Sequence, residues 1–237
     1  MARRPLPPFI ILWNRHTQLY LEVFSLALQE LAEKDSVTGD EDAISETLCL
    51  ILSRVCYNAG KSRNQEVQTP YWEAPIQPAA PDELKDGKSR KRPDFTCKCL
   101  NPRADSPEEY EISFHVECKL LGYPTSVSWN LNKNYVENGL KRFDCNNHQY
   151  GKRAPSGMLI GYIISMTPEE IETEVNGYQK KHLPHYTDIN FMFNTITLFR
   201  THQKIERRNV RPVQFELFHL WVDLRNNYQT VDGIHTL

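Results

Sequence analysis

The 237-residue chain carries 28 basic and 30 acidic side chains, a net charge of -2, and 40% hydrophobic residues. That balance is ordinary for a globular protein and excludes a surface that coats nucleic acid or membrane as a whole, so any site for a polyanion must be local. No apolar stretch approaches the length of a membrane span. The opening Met1-Ala2-Arg3-Arg4-Pro5 is followed by Pro7-Pro8 and lacks the apolar core and small-residue cleavage site of a signal peptide. A cytoplasmic protein without a membrane partner is expected. The six cysteines (49, 56, 97, 99, 118 and 145) include no C-x-x-C pair, and buried free thiols are expected rather than a zinc site or disulfides.

In chain order, apolar residues at helical spacing (Leu19, Val23, Leu26, Ala27, Leu31) predict a first helix over about 12–32. Val37-Thr38-Gly39-Asp40 interrupts it. A second helix is predicted over about 41–59, with the stripe Ile44, Leu48, Ile51, Leu52 and Val55 and a stop at Asn58-Ala59-Gly60. The stretch 68–92 is proline-rich and reads as extended. Two strands follow, at 93–100 and 110–121, joined by the turn-rich "NPRADSPEE". A helix is expected over about 130–143, then the apolar strand "GMLIGYIISM". The next helix has Thr167 as N-cap and Pro168 at its first position. Late strands are expected near 195–204 and 213–224. The order predicts an α/β (α+β) protein: a mixed β-sheet flanked by helices, in one domain spanning residues 1–237.

Chemistry concentrates around "RKRPDFTCKC", residues 90–99, and the downstream strand "EYEISFHVECKLL". Side chains alternate across a strand, so Ile112, Phe114, Val116, Cys118 and Leu120 point one way, and Glu111, Ser113, His115, Glu117 and Lys119 the other. Glu117 and Lys119 then share a face, about 7 Å apart along the strand. If residues 93–100 pair antiparallel with this strand, Asp94 comes near the same face. Asp94 either caps a strand at a turn or joins Glu117 and the Cys118 carbonyl as hard oxygen ligands for Mg²⁺. A metal there would acidify a water and neutralise charge on a phosphoryl group, and Lys119 would orient the water or stabilise the charge. Pro81-Asp82, Glu83-Leu84-Lys85 and Asp86-Gly87-Lys88 match the same letters, but in a polar connection where no strand aims the side chains together.

Pro93-Asp94 followed by Glu117-Cys118-Lys119 resembles the signature of the PD-(D/E)xK nuclease superfamily. The resemblance implies a restriction-endonuclease-like fold with a shared core over about residues 41–165, the N-terminal helix and C-terminal strands being accessory. It implies an endonuclease hydrolysing DNA phosphodiesters with Mg²⁺, for which Mn²⁺ would substitute. Many members of that superfamily also place a carboxylate on the helix before the hairpin. Glu41 shares the core-facing side with Ile44 and Leu48, whereas Glu46 falls opposite, so Glu41 is the candidate outer ligand or water holder; a first-turn glutamate favoured by the helix dipole is the alternative. "YVENGLKRF", Tyr150 and "GMLIGY" further resemble small nuclease-like proteins of bacterial restriction and phage-defence systems, which implies a defence role.

For the substrate side, Arg90, Lys91 and Arg92 adjoin Asp94, and Lys141 and Arg142 lie on the helix after the E-x-K strand, beside Tyr135 and Gly139; these five are the candidate phosphate contacts. A solvated basic face is the bland alternative. "IERRNVR", residues 205–211, reads as a second basic hairpin tip, and His219 shares strand parity with Phe215, Leu217 and Trp221, as a core histidine would. A homodimer, a partner protein of a defence system that targets or activates a nuclease-fold subunit, and an RNA substrate are the competing expectations.

Overall fold

The computed structural model describes residues 8–79, 83, 91–126, 129–193 and 197–229. Helix α1 (Phe9–Ala32) begins after Pro8 and buries Trp13, Thr17, Tyr20, Phe24, Leu28 and Leu31 along one stripe. The two-residue strand β1 (Val37–Thr38) leads into α2 (Glu41–Arg63). Asp40 caps α2, its side chain accepting the Ala43 N–H at 3.1 Å, and Glu41 and Asp42 favour the positive end of the helix dipole. The expected stop at Gly60 is passed. The helix runs to Arg63 because Asn64, at φ 50°, supplies the left-handed residue that ends it.

The proline-rich connection contains one short strand, β2 (Tyr71–Trp72), followed by β3 (Phe95–Leu100), the 3-10 turn Pro107–Glu109 and β4 (Glu111–Leu121). After β4, the single helix expected over 130–143 is three pieces: α3 (Leu131–Asn134), a π turn (Tyr135–Gly139) and a 3-10 turn (Leu140–Asp144). Strand β5 (Ser156–Ile163), α4 (Pro168–His182), β6 (Met192–Phe193), β7 (Leu198–Glu206), β8 (Gln214–Asp223) and β9 (Tyr228–Gln229) follow. The start of α4 is as expected. Thr167 accepts the Glu170 N–H, and Glu170 reaches back to the Thr167 N–H in a reciprocal cap.

Seven strands form one mixed sheet in the order β2-β3-β4-β5-β8-β7-β6, and β1 pairs with β9 in a separate parallel ribbon. The centre is parallel, β4 with β5 and β5 with β8, and both wings are antiparallel. Strand β5 is buried at all eight positions, as a central parallel strand covered on both faces must be, and its sequence is correspondingly almost wholly apolar. One face packs α1 and α2 against Phe114, Val116, Cys118, Ile160 and Tyr162. The other packs the 131–144 segment and α4 against Leu159, Ile163, Leu217 and Trp221. All six cysteines are free, with Cys56, Cys97, Cys99 and Cys118 buried.

A candidate metal centre at the end of strand β4

The alternation expected for β4 holds, but the consequence differs from a simple polar-out strand. Ile112, Phe114, Val116 and Cys118 enter the α1/α2 core, while on the other face Glu117 and Lys119 are buried beneath the 131–144 segment and His115 is buried against Tyr150 and Gly151. Glu117 is 0% exposed and Lys119 3%. Charges so placed persist only when paired and hydrogen-bonded.

The pairing draws on four segments. Strands β3 and β4 run antiparallel with Phe95 opposite Val116, so Asp94 sits one step beyond, beside Glu117. There Asp94 Oδ2 accepts the Cys118 N–H at 2.5 Å. Helix α2 belongs to the opposite layer, and its first residue brings Glu41 to the Lys119 ammonium at 2.5 Å and the Leu120 N–H at 3.2 Å. Lys119 uses its three donors on Glu41 Oε1, the Cys118 carbonyl at 2.6 Å and Glu117 Oε1 at 2.8 Å. Arg142, from the 3-10 turn, donates to the same Glu117 Oε1.

Carboxylate oxygens of Glu41, Asp94 and Glu117 all lie within 4.8 Å of one another, and this acidic triad could hold a metal ion. With all groups ionised, three carboxylates face two cations, a net negative charge in a dry place. Glu117 Oε2 is buried with no hydrogen-bond partner among the described residues, so one hard oxygen ligand is left uncommitted there, which fits a divalent cation bound by oxygen donors. Burial raises the Glu117 carboxyl to about 8, Asp94 adding repulsion while Lys119 and Arg142 pull the other way. Burial likewise raises Asp94 to about 6 against the pull of Lys119 and the Cys118 N–H. Burial works to lower the Lys119 ammonium, but Glu117, Glu41 and Asp94 outweigh it and hold the amine above its ordinary value.

The structure therefore brings together Asp94, Glu117, Lys119 and Glu41, and leaves Glu46 exposed on the far side of α2. The Cys118 carbonyl, expected as a ligand, accepts from Lys119, and Glu41, the expected outer ligand, is the third carboxylate of the cluster. Arg142, expected to lie on a continuous helix face with Tyr135 and Gly139, turns onto Glu117 because the π turn breaks the helical phase. Tyr135 is fully buried, its hydroxyl bound to His219 Nδ1 and Trp221 Nε1, each at 2.8 Å. Trp221 can only donate, so Tyr135 donates to His219, whose Nε2–H then reaches Gln203 Oε1 at 3.0 Å. His219 is a satisfied core histidine, as expected.

Of the other candidate phosphate contacts, Lys141 and Arg92 are exposed, Lys91 is half-buried, and Arg90 lies outside the described residues, as do the alternative motif copies at 81–88 apart from Glu83. The segment 205–211 does form the hairpin tip between β7 and β8, with Arg208 and Arg211 exposed, but one of its basic residues turns inward. Arg207 is buried, 1% exposed, and its guanidinium donates to the carbonyls of Phe143, Tyr150, Gly151 and Pro212. Gly139, expected only as part of a helix face, has a packing role that spacing does not show. A Cβ there would stand 3.2 Å from Leu159 Cδ1 and 3.3 Å from Lys119 Cγ, so the missing side chain lets the π turn lie directly on the lysine.

Among the described residues, no helix is long and apolar enough to cross a membrane. Compared with protein-family models, with curated proteins and with solved structures, the chain has no match in any of the three.

Proposed function

We propose that the protein is a Mg²⁺-dependent endonuclease that hydrolyses DNA phosphodiester bonds, with Mn²⁺ able to substitute. One observation carries the reading: three carboxylates from separate segments converge within 4.8 Å around a lysine that is itself almost fully buried. A cluster built only for stability would be better replaced by apolar side chains, since burying charges costs more than their mutual attraction returns unless the geometry is excellent. Perturbed, converging titratable groups are the usual mark of a reactive site.

Asp94, Glu117 and Glu41 would hold the cation, which when bound supplies neutralisation of phosphate charge and a more acidic water. Lys119, its three donors held by Glu41, Glu117 and the Cys118 carbonyl, would present a positive charge that stabilises the phosphate beside it. Arg142 is the nearest group free to exchange its carboxylate for a phosphate oxygen, the bidentate pairing that guanidinium favours. A role in restriction or phage defence rests on the sequence resemblance alone.

The test is cleavage of plasmid DNA, single-stranded DNA and RNA by wild type and Glu117→Ala, each with Mg²⁺, Mn²⁺ or EDTA. Metal-dependent cutting of DNA that vanishes in the variant is expected. Equal cutting by both proteins would remove this site from the chemistry, and preferential cutting of RNA would change the substrate.

A further inference from the structure

A cavity of about 580 Å³ opens on the same sheet face as the carboxylates, a size typical of small-molecule pockets. Its floor continues their row. The register sets Tyr71 opposite Thr96, Thr96 opposite His115 and Lys98 opposite Ser113. Because alternate residues share a face, the Thr96–His115 pair lies one step, about 7 Å, from Asp94 and Glu117. Pro75, Ile76 and Pro78 form an apolar wall, and His148, Gln149, Lys152 and Arg153 also line the cavity.

The polar chemistry of the floor is neutral. His115 is 5% exposed, and its Nδ1 accepts the Gly151 N–H at 3.0 Å. Because Nδ1 accepts, the ring proton sits on Nε2, for which the described residues supply no hydrogen-bond acceptor. Thr96 and Ser113 add hydroxyls that make no side-chain hydrogen bond among the described residues. The lining cations are already answered: Lys98 by Glu111 at 2.8 Å, Lys152 and Arg153 both by Glu83. Apolar walls, unused neutral donors and acceptors, and compensated charge suit a flat heteroaromatic edge better than a bare phosphate.

We propose that this cavity receives one unstacked base of the DNA strand whose phosphate lies at the Asp94–Glu117 end of the row. The assignment rests on the nuclease reading. The base edge would meet His115 Nε2–H and the Thr96 and Ser113 hydroxyls, and its face the apolar wall, while the exposed ring of Tyr71 stands at the rim.

The experiment measures equilibrium binding of single-stranded and duplex DNA oligonucleotides by fluorescence anisotropy in EDTA, scanning an abasic site along the strand. Wild type is expected to lose about tenfold in affinity at one position and little elsewhere. Ser113→Met, which fills the floor, and Tyr71→Ala, a change on the exposed rim, should weaken the intact oligonucleotide and shrink the abasic penalty. Glu117→Gln should keep the penalty. Uniform affinity at every abasic position, or an unchanged penalty in both pocket variants, overturns the cavity assignment while leaving metal-dependent cleavage intact. A persisting penalty without any cleavage supports the cavity and removes the nuclease. Absence of binding by wild type overturns the cavity assignment, and the cleavage assay alone decides the nuclease.

Discussion

Asp94 accepts the backbone N–H of Cys118 at 2.5 Å, so the residue that opens β3 is tied to the middle of the E-x-K segment on β4. This bond holds the Asp94 carboxylate where one of its oxygens lies within 4.8 Å of those of Glu117 and Glu41. Asp94→Asn can keep an acceptor for the amide but loses the charge. The expected outcome is a folded protein whose Mg²⁺ or Mn²⁺ binding, read by calorimetry, falls by more than the roughly 10–100-fold typical of outer-shell partners. Unchanged metal affinity would show that Asp94 only anchors the turn.

Lys119 compensates the buried Glu117 and the half-buried Glu41 at once, at 2.8 Å and 2.5 Å. Lys119→Met removes the charge and leaves Glu117 facing Arg142 alone, which should cost about 3–5 kcal/mol of stability in urea unfolding. Adding Glu117→Gln to that variant should recover much of the loss, because the uncompensated charge goes with it. Additive losses in the double variant would mean the two side chains do not act as a pair.

Much of this geometry is legible in the residues, and the gaps have physical causes. The phase of Ile44 and Leu48 separates Glu41 from Glu46, because an amphipathic helix fixes which side faces the sheet. Strand alternation likewise puts Glu117 and Lys119 on one face. What alternation cannot give is that this face is covered: that depends on the 131–144 segment folding back over it. The π turn within that segment has no sequence period of its own, so the residues place Arg142 on a regular helix face and do not reveal its pairing with Glu117. Arg207 is hidden for a related reason. A run of basic residues at a hairpin tip looks solvated until the carbonyls of residues 143–151, far away in sequence, close around one of them.

Stability and metal binding should respond oppositely to pH. Glu117 and Asp94 hold their protons more tightly in the folded chain than in the unfolded one, with folded values of about 8 and about 6. For a group raised in this direction the stabilisation is complete below its ordinary value near 4 and is lost as pH climbs through the folded value. The metal-free protein should therefore lose Tm between about pH 4 and 8. A cation competes with those same protons, so the Tm difference between Mg²⁺ and EDTA should grow from pH 6 to 8.5. Glu117→Gln should flatten both trends in thermal scans; parallel curves for variant and wild type would place the titration elsewhere.

Arg207 offers the last test, of whether the site depends on its roof. Its guanidinium lies 3.9 Å above the Phe215 ring and holds the carbonyls of Phe143, Tyr150 and Gly151, the turn that follows Arg142. Asp144 completes the clasp by accepting the N–H groups of Arg208 and Asn209 at 2.9 Å and 2.7 Å. Burial lowers the guanidinium to about 10, so it stays charged at neutral pH. Arg207→Ala orphans several carbonyls and opens space, which should destabilise the chain by about 2–5 kcal/mol. Arg207→Lys keeps the charge but not the planar fork and should recover only part of that. Because the clasp fixes the segment carrying Arg142, the lysine variant should also show faster amide hydrogen exchange over residues 140–151 than over β5. Uniform exchange across both would mean that Arg207 stabilises the fold as a whole and does not hold the roof in place.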